Sequence, residues 1–221
     1  MDIRRMKKPE LCYWLGLVQS DGCFRKHFTN RHTRFTQIIT LSMKDFEPVA
    51  LFKKISHDLL GRDVKIHKDR RPKCNSFYAT IGVSRLLRHF SRMQLDFSDP
   101  PKPPEWVTND AKLFGAYIAG IIDGDGSVKV KRPKYPQCVI KITSGRPQKE
   151  LKSAIESSFK CKCTISKQYR EVELNGYLIK GTCYNIEFCI SGKNSDIIKT
   201  YTLPWIQIPR KRDKIASFLN K

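Results

Sequence analysis

Apolar residues recur along the chain with two different spacings, and these predict alternating helices and strands. In segments 49–59 and 151–159 an apolar residue stands at every third or fourth position, which is typical of a helix with one buried face. Segments 34–43 and 127–144 are strand-like, with alternation of apolar and polar residues. The remaining strand-like segments are 63–69, 76–83, 163–169 and 182–190, and the closing helical segments are 84–95 and 194–203. The order helix, two strands, helix, two strands, helix is therefore predicted twice.

A short sequence repeat supports this twofold organisation. The stretch YWLGLVQSDG begins at Tyr13, and the stretch YIAGIIDGDG begins at Tyr117. At one constant offset the tyrosines, a central glycine and the closing Asp-Gly pair coincide. Because self-similarity of this kind marks repeated structural units, we predict two repeats, at 1–97 and 111–221, joined by a proline-rich linker at 98–110.

The predicted fold class is mixed α+β, with two pseudo-symmetric αββαββα repeats. The strands of each repeat should form one antiparallel sheet that is covered by helices on one face. Because successive strand residues point to opposite faces, Val128 should face the helices while Lys129 and Lys131 face outward. The same alternation holds in segment 63–69. Each sheet should therefore present a basic face, which is either a solvated surface or a surface that fits a DNA groove.

The charge of the chain narrows the class of partner. It has 42 Lys and Arg against 21 Asp and Glu, a formal net charge of +21 that is spread over both halves. A polyanion is the expected partner, with nucleic acid favoured and an anionic membrane surface as the competitor. We find no run of about 18 apolar residues that could span a membrane and no signal-peptide apolar region near the N-terminus. We therefore expect an intracellular protein with no membrane partner, in the cytoplasm or an organelle matrix.

The eight cysteines do not change this expectation. Free thiols are the expected state, because disulfides are rare in reducing compartments. The sequence contains no C-x-x-C motif, and the spacing of Cys161 and Cys163 does not suit a zinc knuckle. A structural zinc site is therefore not expected.

Small residues form one stripe along each of the two helices that contain the repeated stretch, here called the motif helices. Residues four apart share a helix face, and these stripes are Cys12, Gly16 and Ser20, and Ala116, Gly120 and Gly124. Glycine in a helix interior costs about 1 kcal/mol relative to alanine, and small stripes let two helix backbones approach closely. We predict that the motif helices pack against each other as the interface between the repeats. The alternative is that each helix packs closely on its own sheet.

If the motif helices pair, Asp21 and Asp125 should lie side by side near a pseudo-twofold axis. Adjacent carboxylates repel each other unless a cation or a proton lies between them. Hard divalent cations bind carboxylate oxygens together with backbone carbonyls and water. A single Asp-Gly pair after a helix is typical of an ordinary turn, but duplication at matched positions favours a metal site.

The stretch IAGIIDGDG, residues 118–126, resembles the motif of the LAGLIDADG homing endonuclease family. The stretch WLGLVQSDG, residues 14–22, resembles a second, degenerate copy. Single-chain members of this family carry two motifs at about this separation, and their repeat has the αββαββα order predicted above. The resemblance covers nearly the whole chain. The second motif is specific to the family, whereas the first is a weak signal by itself.

The resemblance implies a site-specific endonuclease that makes a metal-dependent double-strand break in DNA and serves intron homing. The last acidic residues of the motifs, Asp21 and Asp125, would be the catalytic metal ligands, and the carbonyls of Ser20 and Gly124 would be further ligands. The cofactor would be two or more Mg²⁺ ions, with Mn²⁺ as a substitute. The two sheets would form a saddle in the major grooves of a long, non-palindromic, double-stranded target. A monomer would cut both strands across the minor groove.

The chain departs from the family motif at Gln19, which occupies the position of Asp123 in the second motif. In the family this earlier acid is less demanding than the last one, so cleavage is still expected. The family also implies a basic residue that supports the cleaved phosphate near each active site. The candidates are Lys102 in the linker, and Arg210 and Lys211 near the C-terminus.

Basic residues on and between the predicted strands are the candidate DNA contacts. In the first repeat they are Arg25, Lys26, Arg31, Arg34, Lys65, His67, Lys68, Arg70 and Arg71. In the second repeat they are Lys129, Lys131, Arg132, Lys134, Lys141, Lys167 and Arg170. Because base edges in the major groove are distinguished by side-chain chemistry, these two different sets should read different half-sites.

Two other functions fit the same fold. One is a DNA-binding protein that does not cleave, which the presence of both Asp21 and Asp125 disfavours. The other is an RNA maturase that helps its host intron to splice, with intron RNA as the partner. The basic surface suits a maturase as well, and both activities can coexist in one chain.

Overall fold

Two four-stranded antiparallel sheets, each built from one half of the chain, organise the computed structural model. The structure describes residues 8–29, 34–71, 74–97, 101–131, 134–174 and 177–220. Helices accompany both sheets, which confirms the predicted mixed α+β class.

The first half begins with a motif helix, α1 (Pro9–Asp21), that runs directly into a strand. Its other elements are β1 (Gly22–Thr29), β2 (Arg34–Met43), α2 (Phe46–Asp58), β3 (Ile66–Lys68), β4 (Phe77–Gly82) and α3 (Leu87–Arg92). The strands pair in the order β1-β2-β4-β3. Helix α2 buries Val49, Phe52 and Ile55, which recur at helical spacing and cover one face of the sheet.

The second half repeats this order after a single helical turn, α4 (Glu105–Thr108). Its elements are the motif helix α5 (Ala111–Asp125), β5 (Gly126–Lys131), β6 (Gln137–Ser144), α6 (Lys149–Phe159), β7 (Cys163–Leu174), β8 (Tyr177–Ile190) and α7 (Ser195–Ile197). The strands pair in the order β5-β6-β8-β7. Helix α5 begins after Asp110, whose side chain accepts hydrogen bonds from the backbone nitrogens of Lys112 and Leu113 as an N-cap.

The end of the chain differs from the sequence prediction. The predicted closing helix at 194–203 is present as α7, a π-helical turn (Ile198–Thr202) and a 3₁₀ turn (Leu203–Trp205). A further helix, α8 (Pro209–Leu219), follows and packs on β5, although the αββαββα pattern did not include it. Proline at the first position of α8 suits a helix start, because that position needs no N–H donor.

One continuous hydrophobic core joins the two halves. Its largest fully buried side chains include Trp14, Phe52, Phe114 and Phe159. Trp14 stacks on Phe52 with ring centroids 5.7 Å apart, and its indole N–H donates a 3.1 Å hydrogen bond to the hydroxyl of Ser56. The motif helices lie inside this core, yet across the described ranges no helix combines the length and apolar character needed to cross a membrane.

Candidate metal site and nucleic-acid interface

The motif helices α1 and α5 pack against each other along their glycines. A Cβ on Gly16 would clash with the carbonyl oxygen of Tyr117, and a Cβ on Gly120 would clash with that of Tyr13. Both obstacles are backbone atoms of the opposite helix, so no side-chain rotation could make room. The predicted helix pairing is therefore confirmed, and the alternative, in which each stripe packs on its own sheet, is wrong.

Each motif helix changes directly into a strand at an Asp-Gly pair. The backbone N–H of Gly22 donates to the carbonyl of Val18, and that of Gly126 donates to the carbonyl of Ile122. A Cβ on Gly22 would lie 2.8 Å from the Cα of Val18, and one on Gly126 would lie 2.5 Å from the Cα of Ile122. Glycine is needed here for close approach to the last helical turn, and it leaves the preceding aspartate at the helix–strand junction.

The two junctions lie beside each other. A Cβ on Gly124 would clash with the hydroxyl of Ser20 and would lie 2.7 Å from the Cβ of Ser20. The Ser20 hydroxyl donates to the carbonyl oxygens of Gly16 and Leu17, both at 3.0 Å, so this side chain lies against its own helix. The four residues predicted at the metal site thus end the paired helices at one place. Ser20, Asp21, Gly124 and Asp125 are called the junction edge below.

A buried cation lies beside the junction edge. Lys211 is 5% exposed, and its Nζ donates to the carbonyl oxygens of Ile122 at 2.6 Å and Asp123 at 2.8 Å. These carbonyls belong to the last turn of α5, where backbone acceptors and the negative end of the helix dipole favour a cation. Burial lowers the pKa of Lys211. Partial burial raises the pKa of the Asp21 carboxyl, and the Lys211 ammonium opposes this rise.

The oxygen donors at the junction edge fit a hard divalent cation. Mg²⁺ is typically bound by one or two carboxylates, and it keeps water and substrate phosphate oxygens as its other ligands. Within the described ranges, no three or more His, Cys, Asp or Glu side chains are grouped so that they could hold a metal ion. Asp21 and Asp125 together with backbone carbonyls therefore suit an ion that keeps coordination positions open for water or substrate, rather than a closed structural metal site.

The three candidate phosphate-supporting residues have different surroundings. The side chain of Lys102 is exposed, and its backbone carbonyl accepts a 3.3 Å hydrogen bond from Nε2 of Gln19. Arg210 is exposed and forms a 2.8 Å ion pair with Asp45, which precedes α2. Lys211 is held against the end of α5. Lys211 therefore lies beside the junction edge, and the side chain of Lys102 is accessible.

Gln19, the departure from the family motif, is buried, and both polar groups of its side chain are hydrogen-bonded. It is 9% exposed. The hydroxyl of Tyr117 donates to Oε1 of Gln19 at 2.6 Å. Nε2 of Gln19 donates to the carbonyl oxygens of Asp96 and Lys102. The oxygen and the nitrogen of this amide therefore both have hydrogen-bond partners. The two carbonyl acceptors fix which end is the nitrogen, because they require a donor.

Asp123 occupies the matched position in the second repeat. It is 1% exposed. Its Oδ2 accepts from the hydroxyl of Tyr13 at 2.9 Å and from the backbone nitrogen of Gln207 at 2.7 Å, and its Oδ1 accepts from the backbone nitrogen of Ile208 at 3.3 Å. The repeat alignment pairs Tyr13 with Tyr117 and position 19 with position 123. From this alignment the two reciprocal contacts, Tyr117 with Gln19 and Tyr13 with Asp123, could have been predicted.

The face of the first sheet that points away from the helices forms an open basic groove. Its volume is about 1410 Å³, and it is lined by Thr40, Ser42, Ile66, His67, Lys68, Asp69, Arg70, Arg71 and Tyr78. His67 stacks on Tyr78 with ring centroids 5.2 Å apart. Arg71 forms a 2.6 Å ion pair with Asp69, which lowers the pKa of Asp69. Four predicted DNA contacts, His67, Lys68, Arg70 and Arg71, thus line one groove. Arg71 is partly neutralised, and Lys68 shares its strand face with Ile66, which packs against the core.

The corresponding face of the second sheet carries another basic cavity. Its volume is about 550 Å³, and it is lined by Lys131, Gln137, Val139, Lys160, Cys161, Lys162, Thr164, Glu187, Phe188, Cys189, Ser191 and Lys193. Glu187 pairs with Lys131 at 3.7 Å and with Lys141 at 3.9 Å. Sequence reasoning missed three of these cations, which lie outside the strands; they are Lys160, Lys162 and Lys193.

Lys26 was predicted to contact DNA, but strand alternation places it on the other face of β1. Lys26 shares a face with Phe24, whose ring lies 5.6 Å from that of Phe97. Arg25 points the opposite way, with Cys23, on the face of the basic groove. Of these two neighbours only Arg25 is placed to face a ligand on the saddle.

Lys167 in β7 was also predicted to contact DNA, but it lies on the helix-covered face of its strand. It shares the face of Ile165, which packs against the core, and it therefore points towards the helix-covered side. Arg170 shares the strand face of Thr164, which pairs with Glu187 on the basic face. Arg170 therefore lies on the saddle, whereas Lys167 does not.

The other predicted contacts are distributed as follows. Lys65 and Lys129 are exposed, and Lys134 is exposed with its Nζ 5.8 Å from the ring centroid of Tyr135. Arg31 and Arg132 lie outside the described residues, and Arg34 begins β2 with its side chain outside them.

No family model and no curated protein matches this sequence. Solved structures do match it. A variant of I-DmoI in complex with its target DNA in the presence of 2 mM Mn is 14% identical over 96% of this chain and 94% of that chain, with a TM-score of 0.52. The LAGLIDADG meganuclease I-AabMI bound to uncleaved DNA is 14% identical over 96% and 89% of the two chains, with a TM-score of 0.54.

The fold is also present in full-length DUF199/WhiA from Thermatoga maritima. That protein is 15% identical over 97% of this chain but only 60% of its own, with a TM-score of 0.53. Identities at this level show a shared fold. The two glycine-paired motif helices, each leading into its own antiparallel sheet, give this chain the two-repeat fold of the LAGLIDADG homing endonucleases.

Proposed function

We propose that this protein is a site-specific endonuclease that makes a metal-dependent double-strand break in a long, non-palindromic DNA target, as intron homing requires. The observation that carries the proposal is the pairing of α1 and α5, which ends in Asp21 and Asp125 between two basic sheet faces. The fold neighbours I-DmoI and I-AabMI, both crystallised with DNA, support double-stranded DNA as the ligand. Repeats 1–97 and 111–221 would each take one half of the target, with 98–110 as the linker.

In this proposal the junction edge holds the metal. Asp21 and Asp125 bind divalent cations through their carboxylates, and the carbonyls of Ser20 and Gly124 are further ligands. The proposed cofactor is two or more Mg²⁺ ions with Mn²⁺ as a substitute, and the Mn present with I-DmoI supports a divalent ion. Bound metal supplies an activated water and charge stabilisation at the phosphate.

The rest of the chain's contribution is to hold the DNA in register. Basic residues on the saddle neutralise phosphates and fix the position of the duplex, while polar groups between them read base edges. The described residues suited to these contacts are Arg25, Lys65, His67, Arg70, Arg71, Lys129, Lys131, Lys134, Lys141 and Arg170. Lys102, Arg210 and Lys211 remain the candidates for contact with the cleaved phosphate, and Lys211 also binds the carbonyls at the end of α5.

The decisive experiment combines a randomised DNA library with Asp21→Asn and Asp125→Asn. Incubation of the wild-type protein with the library and Mg²⁺ should yield one family of cut sequences. Each substitution removes a metal-binding charge at nearly constant volume, so double-strand cleavage should be lost while binding to the selected target persists. Asp58→Asn, at the exposed end of α2, is the matched control and should cut like the wild type. Full cleavage by either junction variant contradicts the assignment.

A second candidate function is sequence-specific DNA binding without cleavage. The likeness to DUF199/WhiA supports it, because it shows the fold outside the named endonucleases. Selection of one DNA sequence from the library without cutting, in either Mg²⁺ or Mn²⁺, would favour this function. Preference for folded intron RNA over every DNA duplex would favour the maturase instead.

A further inference from the structure

We propose that Gln19 and Asp123 are matched positioning residues. Each side chain hydrogen-bonds to the backbone of a segment that follows the last strands of its repeat, and so holds that segment against its motif helix. This segment is called the returning segment below. Each one also has the chemical type that the backbone groups of that segment require. The amide of Gln19 therefore suits this position because it donates to backbone carbonyls, and the absence of an acid here is not a loss of function. This inference is independent of whether the protein cleaves DNA.

In the second repeat the returning segment presents N–H groups. Gln207 and Ile208 donate their backbone N–H to the carboxylate of Asp123, at 2.7 and 3.3 Å. A carboxylate has only acceptors, and it forms charge-assisted hydrogen bonds with such donors. An acid is therefore the suitable side chain at position 123.

The bond to Ile208 also determines where α8 begins. Ile208 is the N-cap of α8, and its carbonyl accepts from the backbone nitrogens of Lys211 and Arg212, both at 3.0 Å. The side chain of Lys211 then returns to the last turn of α5. Asp123 therefore positions Lys211 against the junction edge by fixing the residue from which its helix starts.

In the first repeat the returning segment presents carbonyl groups instead. Nε2 of Gln19 donates to the carbonyl oxygens of Asp96, at the end of the first repeat, and Lys102, in the linker. An aspartate or glutamate at this position would direct lone pairs at two carbonyl oxygens and leave them without a donor. Buried polar groups without partners are costly, so an amide is the suitable side chain.

The opposite motif helix does not distinguish the two chemical types. The hydroxyl of Tyr117 donates to Gln19, and the hydroxyl of Tyr13 donates to Asp123. A phenolic hydroxyl can donate to an amide oxygen as well as to a carboxylate oxygen. The reciprocal tyrosine contacts are therefore common to both repeats, and the returning segments alone account for the difference between Gln19 and Asp123.

The first test replaces the amide in two ways. Gln19→Glu keeps the size and the acceptor for Tyr117 but replaces the donor by a charged acceptor, and Gln19→Met leaves the carbonyls unpaired without repulsion. We expect the thermal midpoint to fall from wild type to Met to Glu. Proteolysis within 96–104 should become faster by about tenfold in Gln19→Glu, the factor for loss of one buried hydrogen bond. Tyr117→Phe, which keeps both donor contacts, should leave that proteolysis unchanged. A Gln19→Glu protein that matches the wild type, or exceeds Gln19→Met, overturns the proposal.

The second test follows the returning segment of the other repeat by amide hydrogen exchange. In Asp123→Asn one of the two amides must lose its acceptor whichever way the new side chain is oriented. Exchange at Gln207 and Ile208 should rise by about tenfold, while the α5 amides stay protected. Asp123→Glu, which keeps the acceptors, should restore slow exchange in part. Unchanged exchange at both amides, or an equal rise along the whole chain, contradicts a positioning role.

Exchanging the two residue types provides a test at constant composition. The double variant Gln19→Asp, Asp123→Gln places the acid against carbonyls and the amide against N–H groups. We expect it to have a lower thermal midpoint than either the wild type or Gln19→Asp alone. Equal stability of the wild type and the double variant would falsify the matching of residue type to backbone segment.

Discussion

The backbone nitrogen of Asp21 lies 3.5 Å from the point that a Cβ of Gly124 would occupy. The end of one motif helix therefore meets the end of the other at close range, with only the small side chain of Ser20 against Gly124. Because Asp21 and Asp125 follow at the same ends, this contact places both carboxylates on one edge of the molecule. A metal-dependent reaction on two DNA strands would depend on the distance between these helix ends, and the glycines set that distance.

Enlarging Gly120 should destabilise the fold. A Cβ there would clash with the carbonyl oxygen of Tyr13 and would lie 2.7 Å from the backbone nitrogen of Leu17. Gly120→Leu should therefore lower the free energy of unfolding by about 1–3 kcal/mol or more through overpacking, as measured by urea denaturation. Gly82→Ala is the control, because a Cβ on that residue meets no atom within 4 Å. Equal stability of Gly120→Leu and wild type would contradict the close helix pairing.

The affinity for DNA should fall steeply as the salt concentration rises. Only charges on the basic sheet faces should contribute to this salt dependence. Each neutralised phosphate contributes about −0.9 to the slope of log affinity against log salt concentration. Arg170→Gln should make the slope shallower by about one such unit, because Arg170 lies on the saddle. Lys167→Gln, on the helix-covered face of the same strand, should leave the slope unchanged. Equal effects of the two substitutions would mean that the faces of β7 are wrongly assigned, and a flat salt response would exclude DNA as the main ligand.

The sequence predicted what depends on local pattern. The small stripes led to the helix pairing because glycine in a helix interior needs a compensating contact, and the repeated Asp-Gly pair located the junction edge. Alternation predicted a basic face for each sheet. Lys26 and Lys167 were counted as basic residues on strands without applying strand alternation, which puts them on the helix-covered faces and puts Arg25 and Arg170 on the basic faces.

Other parts of the candidate site depend on contacts between distant segments and could not be read locally. Helix α8 has few apolar residues, and its start is fixed by a bond from Ile208 to Asp123. The role of Gln19 depends on carbonyl groups that arrive from the linker. The sequence does not show which backbone carbonyls a side chain will meet. A residue whose type suits such carbonyls therefore looks like a random departure from a motif.

The eight cysteines should differ in reactivity according to their burial. Cys12 and Cys138 are fully buried, and burial raises the pKa of Cys138 to about 11 and raises that of Cys12 as well. Cys23 and Cys189 are exposed. Because the thiolate is the reactive form, an aromatic disulfide reagent should modify Cys23 and Cys189 in the native protein and Cys12 and Cys138 only after denaturation. Modification of Cys12 at the rate of Cys23 in the native state would show that the motif helices open readily.

The target of this protein should be asymmetric and bound by one copy of the chain. The two saddle faces carry different groups: a stacked His67 and Tyr78 in the first groove, and Glu187 shared by Lys131 and Lys141 in the second. Different side chains in the major groove read different bases, and both halves already belong to one chain with a shared core. We expect a one-to-one complex on a non-palindromic site of about 20 bp, since each half-site takes about one helical turn. Sedimentation of the complex and a base-by-base cleavage profile measure this, and a two-to-one complex on a palindrome would contradict it.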